Sequence, residues 1–241
     1  MIKISRFFKR LPVLTAADFS ARWQSGYGEA LQALAAQSDG VIRYAQSHVV
    51  AQESPIANAP ESAFDGVDEL WCDSIDSGAA LFDSERYREE LAAAEQAFVD
   101  PAASMVVVGK VLVMWDRPSQ ARADAVKLMI LPVRKPGLTV AEFRHHWIHV
   151  HSPLSLQGPG MRERVQRIEF CPGLSLGLAG LSAADAEGTG SIWFDNMQHL
   201  RQEFGSAYYR DTLQPDEKRF SDSQRSRGSM LHERLLWQRS G

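Results

Sequence analysis

Four of the seven histidines, His145, His146, His149 and His151, fall within the stretch Leu138 to Gly160. Imidazole titrates near neutral pH, so this stretch has the means to take and return a proton or to ligate a metal. Thr139 fits a helix N-cap, with Glu142 three residues on at the capping-box spacing and Pro136-Gly137 breaking the strand expected before it. From Val140 onward Phe143, Trp147 and His151 recur at i, i+4 and i+8, which puts them on one helical face, and Leu154 and Leu156 continue the apolar side. His151 therefore ends a buried stripe, and Pro153 predicts that the helix bends or ends just beyond it. A histidine in that place is either a hydrogen-bonded core residue or C-terminal cap, or a titrating group against an aromatic wall. His145 and His149 have the i, i+4 spacing of metal ligands, but no HExxH carboxylate accompanies them, and no metal site is expected.

A second polar set lies on the strand expected over residues 41–50. Alternation puts Tyr44, Gln46 and His48 on one face and Arg43, Ala45 and Ser47 on the other. A phenol, an amide and an imidazole side by side suit orienting a carbonyl or phenol and moving a proton. Glu69, on the neighbouring strand, is expected to orient His48 or raise its pKa, and Tyr27 to face the set from a helix. The alternative for His48 and Glu69 is simple solvation at strand ends.

The elements that must hold these groups come twice. Phe19, Trp23 and Tyr27 precede Phe143, Trp147 and His151 by 124 positions, and the same shift relates Thr15 to Thr139, Lys3 to Lys127 and Arg43 to Arg167. Later pairs keep a shift of 122: Trp71 and Trp193, Phe82 and Phe204, Tyr87 and Tyr209, Glu95 and Glu217, Phe98 and Phe220, Trp115 and Trp237. The chain is an internal duplication with a period far longer than a solenoid repeat. Each copy reads strand, helix, strand, strand, helix, strand, over residues 1–116 and 125–241, with the polar linker Arg117 to Ala123 between them. That order is the ferredoxin-like βαββαβ unit, an α+β arrangement with both helices on one sheet face and the other face bare. Two such units are expected to pack sheet to sheet within the chain, burying what neither covers alone.

The second copy, KLMILPVRKPGLTVAEFRHHWIHVHSPL, resembles the EthD family of the dimeric α+β barrel superfamily. The residues that carry the resemblance are Pro136, Gly137, Leu138, Thr139, Phe143, Trp147, His151, Pro153 and Leu154. The first copy is similar in RYAQSH and DGVDELWCDS, but has Tyr27 where the pattern wants His and Glu29 where it wants Pro. The resemblance implies two units forming an intrachain dimeric α+β barrel, with a ligand pocket between helices and sheet in each. On that basis His151, His48, Glu69 and Tyr27 are the expected catalytic groups, and Trp147, Tyr44, Gln46 and Phe170 the expected substrate-binding ones.

With 26 basic and 30 acidic residues the net charge is −4, and the basic residues are scattered, so nucleic acid is not an expected partner. The first residues, MIKISRFFKRLP, are basic without an apolar run, and no run of about 18 apolar residues occurs anywhere, so no membrane partner is expected and the location read is cytoplasmic. Cys72 and Cys171 fit a reducing compartment without structural zinc, as small buried hydrophobes. No Gly-rich phosphate loop or nucleophile elbow occurs, and no cofactor is expected. The resemblance leaves haem as an alternative, with His151 or His199 as axial ligand.

Two function classes follow. One is an enzyme acting on an apolar aromatic or polyketide- or lactone-like compound by cofactor-independent acid-base chemistry, as a monooxygenase, decarboxylase or cyclase. The resemblance associates such enzymes with oxidative degradation of xenobiotics. The other is a non-catalytic binding or accessory protein. Its partner is a small apolar molecule in either case, with a homodimer of the tandem unit as a further expectation, and fold alone does not decide between the two.

Overall fold

The computed structural model describes residues 1–50, 62, 64–117 and 124–240, so of the expected linker only Arg117 is seen. In the first unit the strands are β1 (Ile2–Phe8), β2 (Val41–Val49), β3 (Gly66–Cys72), β4 (Met105–Lys110) and β5 (Leu112–Asp116). Its helices are α1 (16–37), α2 (Ile75–Asp83) and α3 (85–96). The second unit has strands β6 (Val126–Leu131), β7 (Val165–Pro172), β8 (Ser182–Ala183), β9 (Gly188–Phe194) and β10 (Arg227–Gln238). Its helices are α4 (140–155), α5 (Met161–Arg164), α6 (Met197–Phe204) and α7 (207–220). No helix among the described residues is long and apolar enough to cross a membrane.

Local chemistry sets the helix starts. Thr15 and Thr139 cap α1 and α4, each accepting from the backbone N–H three residues on while Asp18 or Glu142 reaches back, a full capping box in both copies. The two helices then differ. α1 is kinked at Ser25-Gly26, where Gly26 has φ +60°, whereas α4 runs through Pro153 to Ser155. A wide, π-type turn over His146–His151 precedes Pro153 and relieves the clash its ring would make with the carbonyl a turn back, which is why the helix continues there.

Within each unit the antiparallel order is the ferredoxin-like one, β2-β3-β1-β4 and β7-β9-β6-β10. The units join edge to edge, because β10 pairs with β6 through Arg227–Leu231 and then with β2 from Leu231↔Val49 to Gln238↔Arg43. β5 crosses to the other unit and pairs with β7. Apolar residues on the helix-facing sides form one core per unit, while Phe7, Val67, Val107, Met129, Leu131 and Leu231 share a third cluster drawn from both.

The expected closed barrel is corrected. The hydrogen-bonded order is a line, β5-β7-β9-β6-β10-β2-β3-β1-β4-β8, with two ends. β4 spends its ladder on β1 and β5 spends its ladder on β7, so between β4 and the end of β7 there is the isolated bridge Gly109↔Gly173 and no ladder. The architecture is an open α+β sheet of two ferredoxin-like units.

Candidate active site in the second unit

A cavity of about 670 Å³ opens between α4, α7 and the sheet of the second unit. Its wall is mostly apolar: Ile130, Trp147, Ile168, Phe170, Phe194 and Phe220 line it, with Gly190 on β9 leaving space where a side chain would project. Trp147 stacks on Phe170 with centroids 4.6 Å apart, and a Cβ on Gly190 would meet the Trp147 ring at 3.3 Å. The volume falls within the usual range for small-molecule sites. Its polar part consists of His151, Glu203, Tyr209, Glu217, Lys218, Arg227 and several serines and glutamines, with Glu203 paired to Arg164.

His151 is held by a carboxylate that the sequence reading did not single out. Its Nδ1 lies 3.0 Å from Asp216 Oδ2, and His146 Nε2 lies 2.9 Å from the other oxygen of the same carboxylate. Burial pushes the His151 pKa down, and the hydrogen bond to Asp216 recovers only part of the shift. Burial acts upward on Asp216, but the hydrogen bonds from His146 and His151 outweigh it and hold the carboxyl below its ordinary value. Both shifts fit one state, a neutral imidazole beside a carboxylate. Asp216 only accepts, so Nδ1 of His151 carries the proton and Nε2 is left as a lone-pair nitrogen on a cavity residue.

Glu217, next in sequence, also lines the cavity. Its Oε2 accepts from the Tyr209 hydroxyl at 3.2 Å, and burial pushes its pKa up to about 7. The cavity therefore holds an imidazole and a carboxyl that burial shifts in opposite directions, His151 down and Glu217 up.

The first unit is filled where the second is open. Arg6, fully buried, donates to Glu95 and, at 2.9 Å, to the Tyr27 hydroxyl, while Tyr27 and Tyr87 donate to Glu95 Oε2 at 2.7 and 2.9 Å. Tyr44 donates to Asp68 Oδ1 at 2.9 Å, Trp23 Nε1 reaches the same oxygen at 3.1 Å, and Gln46 donates to Tyr44 and to the Trp23 carbonyl. Burial raises Asp68 to about 7. Tyr27, Tyr44 and Gln46 thus share the helix-facing side but spend their hydrogen bonds inside the protein, Tyr27 on Glu95 and Arg6, Tyr44 on Asp68, and Gln46 on Tyr44 and the Trp23 carbonyl.

The structure separates His48 from Glu69. The His48 ring packs 4.5 Å from Trp23, with Nδ1 3.4 Å from Gln24 Nε2 and no partner at Nε2, and burial pushes its pKa down to about 4. Glu69 points to the opposite sheet face. There it accepts from Ser47 at 2.7 Å and pairs with Lys127 and Lys3, in a buried network that extends to Glu169, Glu233, Arg43 and Arg167. Lys3 holds Glu169 down at about 2 against the upward push of burial. Strand alternation accounts for the separation: residues 69 and 48 sit on neighbouring strands with opposite facing, since Ala45, not His48, is the register partner of Glu69. His199, the other haem candidate, lies beside Asp195 at 3.4 Å and is not among the cavity residues.

Sequence reasoning placed His151, Trp147 and Phe170 together, and the structure brings all three to one cavity. It missed Asp216 and Glu217. The available signal for Glu217 was its match to Glu95; Asp216 has Ala94 as its counterpart and sits in a charged segment, QPDEKRF, that looks like a solvated face.

Residues 11–102 and 135–224 each match the model of the EthD domain. Part of the chain is similar to a decarboxylase, AgnL1, of Paecilomyces divaricatus, at 28% identity over 109 residues, 42% of this chain and 72% of the relative. Among solved structures, an anthrone oxidase-like protein superposes with TM-score 0.62 at 12% identity, over 98% of this chain and 92% of that one. A chlorite dismutase from Candidatus Nitrospira defluvii, solved with imidazole, superposes with TM-score 0.53 at 10% identity, over 96% and 90%. At such identities the two structures speak for the fold. The expectation of no cofactor is corrected to this extent: the fold is shared with chlorite dismutases, so that expectation does not stand as a reading of this chain.

Proposed function

Starting from the premise that this chain belongs to the EthD family, with two tandem copies of its domain, we propose that the cavity of the second unit is the working site. It takes a flat, largely apolar aromatic or polyketide-like compound, and His151 is the group that moves a proton on it. The observation that carries this reading is one residue: His151 lines an apolar cavity with Nδ1 committed to Asp216 and Nε2 open. Asp216 fixes the ring and the tautomer, as a carboxylate behind a catalytic imidazole does. The similarity to a decarboxylase supports proton transfer at carbon as the reaction class, because losing carbon dioxide from an aromatic acid requires a proton to replace it. The first unit is then the supporting copy, its equivalent space occupied by Arg6.

Haem is the second reading, favoured by the same imidazole. The donor set fits it: a ligating histidine ordinarily gives its other N–H to a carboxylate, as His151 does to Asp216. Lys218 and Arg227, both at the cavity, are the cations that haem's acid groups call for. Haem would supply one-electron and oxygen chemistry there, and His151 is the residue that would hold it.

The test is a titration of the purified protein with 2-naphthol-type aromatics and, separately, with hemin, followed by turnover assays on hydroxyaromatic acids. Binding of the aromatics with turnover that falls about a hundredfold or more in His151→Ala supports the first reading. A Soret band that forms in the parent protein and not in His151→Ala supports haem. Aromatic binding without turnover leaves a binding protein, and no binding of either kind sinks both readings.

A further inference from the structure

The two units differ at one pair of facing strand positions. In the first, Arg6 on β1 stands opposite Asp68 on β3; in the second, Ile130 on β6 stands opposite Gly190 on β9, at the same places in the duplicated ladders. The Arg6 guanidinium is sandwiched in the first unit, with its carbon 4.8 Å from the rings of both Phe8 and Phe82 and 5.8 Å from Tyr87, and both its terminal nitrogens are bonded, one to Tyr27 and one to Glu95. Across the shifts of 124 and 122 the residues around it become Pro132, Phe204, Tyr209, His151 and Glu217. All five line the cavity. Phe82, Tyr87 and Glu95 are retained in the second unit as Phe204, Tyr209 and Glu217, whereas Phe8, Tyr27 and the guanidinium itself are not.

We infer that the second-unit cavity is the Arg6 site with its occupant removed, and that its ligand presents a planar hydrogen-bond donor to Glu217 where Arg6 presents its guanidinium to Glu95. This rests on the cavity being the working site and adds a recognition group to it: an aromatic body between Phe204 and Tyr209, with a hydroxyl or N–H aimed at the carboxylate. Glu95 in the first unit has Arg6 and two tyrosine hydroxyls; Glu217 keeps only the equivalent of one, the Tyr209 hydroxyl, because position 27 has become His151 and its ring turns to Asp216. A carboxyl stripped of a cation and a hydroxyl, in a site that burial makes unfavourable for charge, is short of donors. The ligand supplies one.

The matched probes are 2-naphthol and 2-methoxynaphthalene, nearly equal in shape and differing in the donor, measured by calorimetry on the full chain. The expected result is binding of 2-naphthol at least tenfold tighter than its methyl ether, with the gap closing in Glu217→Leu. A second variant, Ile130→Arg, rebuilds the first unit's occupant in the second and is expected to abolish binding of both probes while raising Tm. Equal binding of the two probes, or a gap that survives Glu217→Leu, overturns the inference and leaves the His151 reading standing, since His151-dependent turnover is scored separately. Failure of both probes to bind overturns both. Should Ile130→Arg not fold, the Glu217→Leu comparison decides alone.

Discussion

Tyr27 and His151 hold the same place on equivalent helices but bond different carboxylates: the Tyr27 hydroxyl donates to Glu95, whereas His151 Nδ1 meets Asp216, which stands where the first unit has Ala94. The two copies differ at both positions, and the second unit thereby has an oriented imidazole where the first has a phenol. Replacing Asp216 by Asn should therefore lower the His151 pKa further, because the hydrogen bond and the charge that favour the imidazolium are weakened. Histidine proton shifts followed by NMR across about pH 4 to 8 check this; an unchanged or raised His151 pKa contradicts the pairing.

Glu217 bears on stability in the opposite sense to a paired acid. Its folded pKa of about 7 lies above its ordinary 4.5, so the protonated form is favoured by folding. The contribution is complete below about pH 4.5 and is lost as pH rises towards 7. Glu217→Gln should accordingly stabilise the protein by about 1–2 kcal/mol near neutral pH, allowing for solvent reaching the cavity, and by nearly nothing near pH 4.5. Urea denaturation at the two pH values gives the answer.

For His48 the sign reverses. Burial lowers its pKa from 6.5 to about 4, so its neutral form is the folded one. Stability is whole above about pH 6.5 and drains as pH falls through that window towards 4, by roughly 2–3 kcal/mol at about pH 4.5 for this group alone. His48→Gln should flatten the acid side of the stability profile by that amount, and a profile that keeps its slope would mean the ring is solvated.

How far the sequence announced all this depends on the residue. Phe143, Trp147 and His151 declare their shared face because helical periodicity is local, and the duplication doubled the signal. That the second copy is open and the first filled was not legible, since it turns on Arg6 and Asp68 meeting across β1 and β3 from positions more than 60 residues apart. The pairing of Glu69 with His48 failed for a simple reason of facing: adjacent strands say which residues are neighbours, while register says on which side. The closed barrel failed because nothing in either copy shows whether the 105–116 segment will give β4 a ladder to β7.

Glu69 tests the opposite face of the sheet. Glu69→Gln strips Lys127 and Lys3 of a shared buried partner and should cost on the order of 3–5 kcal/mol, as breaking a buried pair does, whereas replacing Glu69 and Lys127 together by Leu and Met should recover most of that. Thermal melts of the three proteins decide it. Lost activity in Glu69→Gln with stability intact would instead return Glu69 to the chemistry.

Trp147, 4% exposed and stacked on Phe170, should cost about 3–5 kcal/mol when cut to Ala. An unchanged melting temperature would place the ring outside the core and overturn the helical phase that puts His151 in the cavity.

The ladder between β2 and β10 sets a timetable for synthesis. Gln46 finds its partner in Arg234, and at ribosomal rates of roughly 5–20 residues per second that partner is made about ten to forty seconds later. Until then the nascent first unit holds β2 as an unpaired edge with Tyr44 and Ala45 upon it, a template for any passing strand. The filled interior of the first unit acquires a second meaning in that light. With Arg6, Tyr27 and Glu95 satisfying one another inside a single copy, the half that emerges first can pair these helix-side polar groups at once, while Lys3 and Glu69 on the other sheet face wait for Glu169 and Lys127.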